Sequence, residues 1–322
     1  MEQDHDPVAV PRPGAAASRT PGPGTVAPSP RSSRRLVGGG RVGWRLLGPL
    51  FLFGPGAAVL ATLGLACLIL LRYSFNHWDP VRTMVPDWTA ANYVAFATNP
   101  VVRRALVNTL RISLVVTVVC LVLGYPVAYA IARSPRRHLL IFLLVSPMLM
   151  VVLVRTYGWL VMLSQQGLVN VLLTGLGIWP GPRRLLYTEL SVTLELIHEL
   201  VPFTVLPIAS ALEQIDPSLT EAAMNLRAGP GRTFWHVTLP LSLPGVAAGT
   251  LLTFALATSA FSAPLILGGG NVTTVTMLMR QQMFTTLNWP LGAAQAIVLV
   301  AVVLAILTAY GRLVRRMAGR PA

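Results

Sequence analysis

Three ionisable side chains lie close together in an otherwise apolar stretch. Glu195, His198 and Glu199 have the spacing i, i+3 and i+4, which places them on one face of a helix. Two carboxylates would suit a cationic solute in a water-filled path. Alternatively, the three groups form packing hydrogen bonds or pair with Arg155 or Arg111. Glu-x-x-His also resembles metal-ligand spacing in helical bundles, but a single copy is a weak signal, and we expect no metal site.

Arg155 lies deep within another apolar stretch. An ionisable group in a bilayer costs about 2.5 kcal/mol or more, so Arg155 requires a buried partner such as a carboxylate or helix-end carbonyls. Direct contact with an anionic solute is the competing interpretation. We therefore predict that Arg155, Glu195, His198 and Glu199 line a translocation path.

The elements that position these groups are membrane helices. The chain has 322 residues, of which 54% are hydrophobic and only 11% charged, and its mean hydropathy is +0.64. Soluble domains are less apolar, and the alternating pattern of a strand barrel is absent. The predicted fold is all-α, a polytopic membrane bundle of six transmembrane helices. The spans are expected near 48–71, 105–132, 139–163, 188–211, 244–267 and 291–312.

Arginine placement predicts the orientation. The N-terminal tail, 133–138, 211–245 and the C-terminal tail carry 16 of the 25 arginines, whereas the loops 72–104, 164–187 and 268–290 carry seven. The positive-inside rule then places both termini and the segment 211–245 in the cytoplasm. There is no lysine, so the chain lacks the Walker A lysine of a P-loop ATPase. We expect a non-enzyme without its own cofactor.

The chain divides into three predicted regions. Residues 1–44 are rich in Pro, Gly, Ala, Ser and Arg and are expected to form a disordered cytoplasmic tail. Residues 45–315 form the six-span membrane domain, and 316–322 a short cytoplasmic tail. No soluble domain fits between the spans, so capture of a solute outside the membrane would require a separate protein.

The polar segment 211–245 is not a simple loop. Asp216-Pro217 predicts a helix start, because the carboxylate can cap and proline needs no backbone donor there. A small-residue apolar face follows at helical spacing, Gly229-Pro230-Gly231 interrupts it, and 232–238 has room for a second short helix. A helix–break–helix unit at a membrane surface indicates a docking element for a partner protein.

This segment resembles the EAA loop of ABC-importer permeases. Glu221-Ala222-Ala223 and Val237-Thr238-Leu239-Pro240 match the family pattern in order and spacing. Arg227 stands where the family has glycine, a residue that would permit the turn. We expect Gly229 and Gly231 to provide the turn instead.

The resemblance covers roughly residues 45–315 and points to the spermidine/putrescine-type branch. Its motifs are Asn108-Thr109-Leu110, Tyr125-Pro126-Val127-Ala128-Tyr129, Arg155-Thr156-Tyr157-Gly158-Trp159, Gly167-Leu168-Val169-Asn170, Leu186-Tyr187-Thr188, 264–269 and 288–292. It implies a multi-pass protein of the bacterial inner membrane that imports a small solute. Related branches carry ferric iron, opines or aminoethylphosphonate.

The resemblance also implies partners. These are an ABC ATPase dimer that holds ATP and Mg²⁺, a second and different permease subunit, a periplasmic or lipid-anchored substrate-binding protein and membrane lipids; no nucleic acid is expected. Ten residues are predicted to couple this chain to the ATPase: Glu221, Ala222, Ala223, Leu226, Ala228, Gly229, Phe234, Trp235, Leu239 and Pro240. The alternative is that they only cap and terminate the neighbouring spans.

Two other function classes compete with this reading. A stand-alone secondary transporter or channel would use Glu195, His198 and Glu199 as a charge relay, but no convincing internal repeat accompanies them. An intramembrane enzyme would need a catalytic motif such as His-Glu-x-x-His or Gly-x-Ser-x-Gly, and the sequence has neither. Only the importer reading explains the EAA-like segment.

Overall fold

The computed structural model describes the backbone of residues 41–318 and the side chains of 56–314 and 316. Most of the predicted tail 1–44 and residues 319–322 lie outside this part of the chain. Within it the fold is helical, apart from an isolated β-bridge between His77 and Val85. The helices are α1 Arg41–Tyr73, α2 Ala91–Thr98, α3 Pro100–Arg133, α4 Arg137–Val145, α5 Val152–Leu163, α6 Leu168–Gly175, α7 Glu189–Glu213, α8 Pro217–Asn225, α9 Pro230–Thr233, α10 Leu239–Ser259, α11 Ser262–Leu267, α12 Val275–Arg280 and α13 Trp289–Ala318.

Three short segments join or extend these helices. Ser146–Leu149 is a 3₁₀ turn after α4, Phe234–Thr238 is a π-helical turn between α9 and α10, and Gln281–Thr285 is a π-helical turn after α12.

Five helical segments of the described chain are long and apolar enough to cross a membrane. They are Gly56–Tyr73, Pro100–Arg133, Glu189–Glu213, Pro230–Ser259 and Trp289–Val314. A sixth candidate is a broken pair, Arg137–Leu149 and Val152–Gly175, whose halves are bent by 90°. Many large apolar side chains of α3, α5 and α13 are exposed, as expected for helices in contact with lipid.

Two predicted spans were wrong as continuous helices. The span 139–163 breaks because Pro147 removes a backbone donor, after which the chain tightens into a 3₁₀ turn and becomes extended at Met150. The span 244–267 ends at Ser259, and Ala260 is extended. Pro264 explains this break, since in a continuous helix its ring would clash with the carbonyl of Ala260. In α11 the same proline lies in the first turn, where it is tolerated.

The core forms where α3, α7 and α10 pack together. Gly245 and Gly249 of α10 let its backbone approach α7 closely. A Cβ at Gly249 would lie 2.7 Å from the carbonyl oxygen of Thr204, and one at Gly245 would lie 2.6 Å from that of Pro207. The Thr204 and Thr253 hydroxyls are hydrogen-bonded at 2.6 Å across the same interface. Small residues and paired hydroxyls therefore hold this helix pair together, as is usual in membranes.

Candidate functional sites

Arg155 lies in the first turn of α5, directly after the break in the bent pair. Its side chain is only 5% exposed, with Nη2 2.6 Å from Oε1 of Glu199 and Nε 3.7 Å from Oε1 of Glu195. A positive charge in the first turn of a helix is electrostatically unfavourable, because the unpaired N–H groups there carry partial positive charge. The two carboxylates of α7 supply the compensating charge.

Arg155, Glu195, His198 and Glu199 are called the Arg155 cluster below. Glu195 is its buried carboxylate. Its side chain has 0% exposure, and its Oε1 accepts a hydrogen bond of 3.0 Å from the hydroxyl of Thr156. Its Oε2 has no hydrogen-bond partner in the described part of the chain. Glu195 therefore has no exposed surface in this structure.

The open side of the cluster is formed by Glu199 and His198. The Glu199 side chain is 24% exposed, and His198 is exposed. Trp159 donates its indole N–H to Nδ1 of His198 at 3.3 Å, and the two rings meet edge to face at 5.7 Å. A carboxylate, an imidazole and an aromatic face therefore lie together at an accessible edge of the bundle.

These distances confirm the alternative in which the carboxylates pair with Arg155, and the lining of a translocation path stays a prediction. Arg111 instead forms an ion pair with Glu189, which lies in the first turn of α7. Among the residues that the structure describes, no group of three or more His, Cys, Asp or Glu side chains is arranged to hold a metal ion. The sequence placed Thr156 and Trp159 in a family-like motif at i+1 and i+4 from Arg155, but their contacts with Glu195 and His198 were not predicted.

The second candidate site is the connection between α7 and α10. Helix α8 starts as predicted: Asp216 is its N-cap, Pro217 its first residue, and Oδ1 of Asp216 accepts the backbone N–H of Ser218 at 2.9 Å. This hydrogen bond holds the pKa of Asp216 below its usual value of 3.8. The cap is therefore charged at neutral pH.

The end of α8 differs from the expectation. The N–H of Arg227 bonds the carbonyl of Met224 at 2.9 Å, and that of Ala228 bonds the carbonyl of Ala223 at 3.1 Å. This is a Schellman stop, which needs a residue in the left-handed region. Arg227 itself occupies that region, with φ +57°. The expected transfer of the turn to Gly229 and Gly231 was wrong, since Gly229 has φ −65° and is the N-cap of α9.

The second short helix is not a separate element. It begins at Pro230 and continues through the π-helical turn into α10, so Leu239 and Pro240 lie inside one helical run. Pro240 accounts for the π-helical turn, because it cannot donate a backbone bond and its ring crowds the carbonyl four residues earlier.

The aromatic pair of this run divides between interior and surface. Phe234 packs edge-on against Tyr125 and Tyr129 of α3, with ring centroids 5.6 Å and 6.4 Å away. Trp235 is largely exposed. Phe234 thereby ties the segment to the bundle, while Trp235 is available for contact.

Helix α8 presents much of its surface to solvent. Glu221 and Ala222 are exposed, Ala223 and Ala228 are half-buried, and Leu226 is 85% exposed. A groove of about 550 Å³ is lined by Leu219 together with residues of α7, α10 and the 214–216 turn. The connection is thus an ordered helix with a small-residue, partly apolar surface and without a cover in the described chain.

The part of the chain that contains both sites is similar to known proteins. The profile of the family described as binding-protein-dependent transport system inner membrane component matches residues 121–319, which include both sites. The chain is 36% identical over 247 residues to the spermidine/putrescine transport system permease protein PotB of Haemophilus influenzae, covering 76% of this chain and 86% of the relative. It is 34% identical over 273 residues to PotB of Escherichia coli, covering 84% and 94%.

A solved structure supports the same fold. The bacterial alginate ABC transporter in complex with an alginate pentasaccharide-bound periplasmic protein has a chain that superposes with a TM-score of 0.69 at 17% identity, covering 87% of this chain and 99% of that one. The fold, the profile and the relatives agree: this chain belongs to the binding-protein-dependent transport system inner membrane component family and is a membrane permease of the ABC-importer type.

Proposed function

We propose that this chain forms half of an import path for a polyamine-type cation and docks on a separate ATPase through α8. The observation that carries the proposal is the form of the α7–α10 connection. A loop that only joins two spans needs neither a capped helix with an uncovered small-residue face nor a stop at Arg227.

The docking argument rests on shape and charge. Ala222 and Ala223 permit close approach of another backbone, and Leu226 supplies an uncovered apolar contact. Glu221, which is exposed, is available to a basic group of the partner. Because Phe234 ties the adjoining turn to α3 and the run continues into α10, a displacement of this segment would be transmitted directly to two core helices.

The cargo argument rests on the charge of the Arg155 cluster. One guanidinium faces two carboxylates, so the cluster is formally negative by one charge when both are ionised. The partly exposed Glu199 is the part of this charge that a solute can approach. This sign favours an amine over an oxyanion, although the molybdenum transport permease ModB of Mycobacterium bovis is also 30% identical over 227 residues.

The remaining assembly follows from exposure and arginine placement. His198 and Glu199 lie at an edge that a second permease subunit would close, which makes a path between two subunits. The arginine-rich ends and α8 would face the cytoplasm, where the ATPase holds ATP and Mg²⁺. The opposite side would receive a solute-binding protein, and the chain would reside in the bacterial inner membrane.

Docking is tested by purifying the tagged chain from its native membrane in mild detergent. We expect a P-loop ATPase and a second six-span protein to accompany it. Glu221→Lys should abolish retention of the ATPase, whereas Gln166→Lys, at an exposed residue in the turn before α6, should not. A wild-type chain that purifies alone yet still transports would replace this proposal with a stand-alone transporter.

Cargo is tested by spermidine uptake into proteoliposomes that contain the purified complex. Glu199→Gln should raise the apparent KM about tenfold, equivalent to about 1.4 kcal/mol of lost attraction, with little change in ATPase retention. The matched control is Glu213→Gln at the C-terminal end of α7, where Glu213 pairs with Arg137 on the surface. An unchanged KM for Glu199→Gln would remove the cation-path assignment.

A further inference from the structure

Arg227 has a backbone conformation that its side chain opposes. It is a non-glycine residue at φ +57°, and it lies at the position of the helix stop where glycine is the usual residue. The stop requires only the backbone of this residue, through the N–H groups of Arg227 and Ala228. Glycine would make the same two hydrogen bonds without the contact between Cβ and the backbone.

The guanidinium has no role within the described chain that would compensate for this strain. Arg227 is exposed, and in residues 41–318 no acidic side chain lies within ion-pairing distance of it. Attraction to the negative end of α8 is a general benefit of a basic residue near a helix end. An arginine within the last turn would obtain that benefit in an ordinary helical conformation, so it does not explain the position.

An outlier of this kind, held on an exposed functional segment, points to a contact outside the chain. Leu226, 85% exposed, directly precedes Arg227, and Arg232 follows it in α9. This end of α8 therefore combines an uncovered apolar side chain with two cations. Asp216 caps the other end of α8, and Glu221 lies at its middle.

We propose that the Arg227 guanidinium binds a carboxylate of the ATPase subunit at the C-terminal end of α8. This inference rests on the proposed function and adds a second charged contact of opposite sign to the one made by Glu221. The Arg227 side chain is exposed, and the planar fork of arginine suits bidentate binding of a carboxylate.

Anionic lipid is the other partner that an exposed arginine suggests. The same short helix carries Asp216 and Glu221, which a negatively charged headgroup layer would repel. A headgroup also requires no particular backbone conformation, because any surface arginine can reach it. The mixed charge of α8 thus favours a protein surface with complementary charges.

The test uses the complex with the ATPase that co-purifies with the wild-type chain. Its affinity for the permease is measured at low and high salt for Arg227→Gly, Arg227→Lys and Arg227→Glu. We expect Arg227→Gly to weaken binding about tenfold with a loss of salt dependence, Arg227→Lys to retain part of the affinity, and Arg227→Glu to weaken binding most. Arg232→Gln is the control for loss of a nearby positive charge.

The outcomes separate this inference from the proposed function. If Arg227→Gly binds the ATPase as wild type does while Glu221→Lys does not bind, the Arg227 contact is wrong and the docking role of α8 stands. If Arg227→Gly instead reduces only binding of the complex to vesicles containing phosphatidylglycerol, the partner is lipid and the inference is also wrong. If the wild-type chain retains no ATPase, both fail together. Reduced affinity in a variant of undiminished thermal stability would support the contact.

Discussion

At the scale of single residues, the Arg155 cluster is divided between the protein interior and an accessible edge. Arg155 and Glu195 are almost fully enclosed, and their opposite charges lie 3.7 Å apart. Glu199 shares the same guanidinium but retains an exposed edge. Arg155 therefore holds one carboxylate in the interior and positions the other at the accessible surface.

Removal of Arg155 should be far more damaging than removal of a surface arginine. Arg155→Met would leave Glu195 buried without its counter-charge, and breaking a buried pair typically costs about 3–5 kcal/mol. Arg111→Met removes an arginine whose ion pair is solvent-exposed, where about 0–1 kcal/mol is expected. Unfolding of the purified protein in detergent measures both. Equal losses for the two variants would contradict the buried-pair assignment.

Arg227→Gly should stabilise the folded chain even as it weakens docking. The left-handed conformation costs a non-glycine residue about 1–2 kcal/mol, and the extra freedom of glycine in the unfolded chain offsets part of the gain. We expect a net gain below about 1 kcal/mol, seen as a higher melting temperature of the isolated permease. A lower melting temperature would mean that the arginine side chain stabilises the fold.

Sequence spacing predicted which ionisable residues meet, but not how they are arranged. The helical positions of Glu195 and Glu199 follow from their separation, and the need of Arg155 for a carboxylate follows from desolvation. The hydrogen bond from Thr156 depends on the relative rotation of α5 and α7, which local patterns do not fix. The left-handed backbone of Arg227 was not predicted, because arginine rarely adopts it and two glycines follow closely in the sequence.

At the scale of elements, the α8 cap should respond to pH. The hydrogen bond from Ser218 depresses the folded-state pKa of Asp216, so its stabilisation is present above the unfolded value and is lost as the pH falls through the folded value. The protection factors of the α8 amides, which are referred to the intrinsic exchange rate at each pH, should therefore fall when the pH is lowered below 3.8. Asp216→Asn retains a capping oxygen without a titrating group, and its protection factors should show no such fall.

Packing of α10 on α7 should depend on glycine at the contact. Gly249→Val places atoms against the backbone of Thr204, and overpacking of this kind costs about 1–3 kcal/mol. Gly158→Val in α5 is the control, because an added Cβ there meets nothing within 4 Å. Thermal unfolding should distinguish the two variants. If Gly249→Val is as stable as Gly158→Val, the close helix approach is not required.

Hydropathy located the membrane elements but not their interruptions. All six predicted spans correspond to apolar helical segments, since length and composition determine what a bilayer accepts. The breaks at Met150 and Ala260 depend on which backbone groups tertiary contacts can satisfy after a proline removes a donor. Pro126, Pro202 and Pro207 lie inside helices that run through them, so proline alone did not identify the breaks.

At the scale of the whole molecule, the two candidate sites lie at different levels of the same core helix. The Arg155 cluster lies along α7, and α8 follows the end of that helix. Under the proposed function, the continuous helix α7 would connect the solute-binding cluster to the docking helix. This reading holds only if the α8 end faces the compartment that contains ATP.

The orientation can be tested by labelling single cysteines in the absence of Cys67, with Cys120 left in place because it is buried. Gln166→Cys lies in the turn before α6, and Asn225→Cys lies at the end of α8; both positions are exposed. The excess of arginines in the two tails, 133–138 and 211–245 taken together predicts that Asn225 faces the cytoplasm. A membrane-impermeant maleimide should therefore label Gln166→Cys in intact spheroplasts and Asn225→Cys only after permeabilisation. The opposite pattern would place α8 outside, away from any ATP-hydrolysing partner, and would exclude α8 as the docking element.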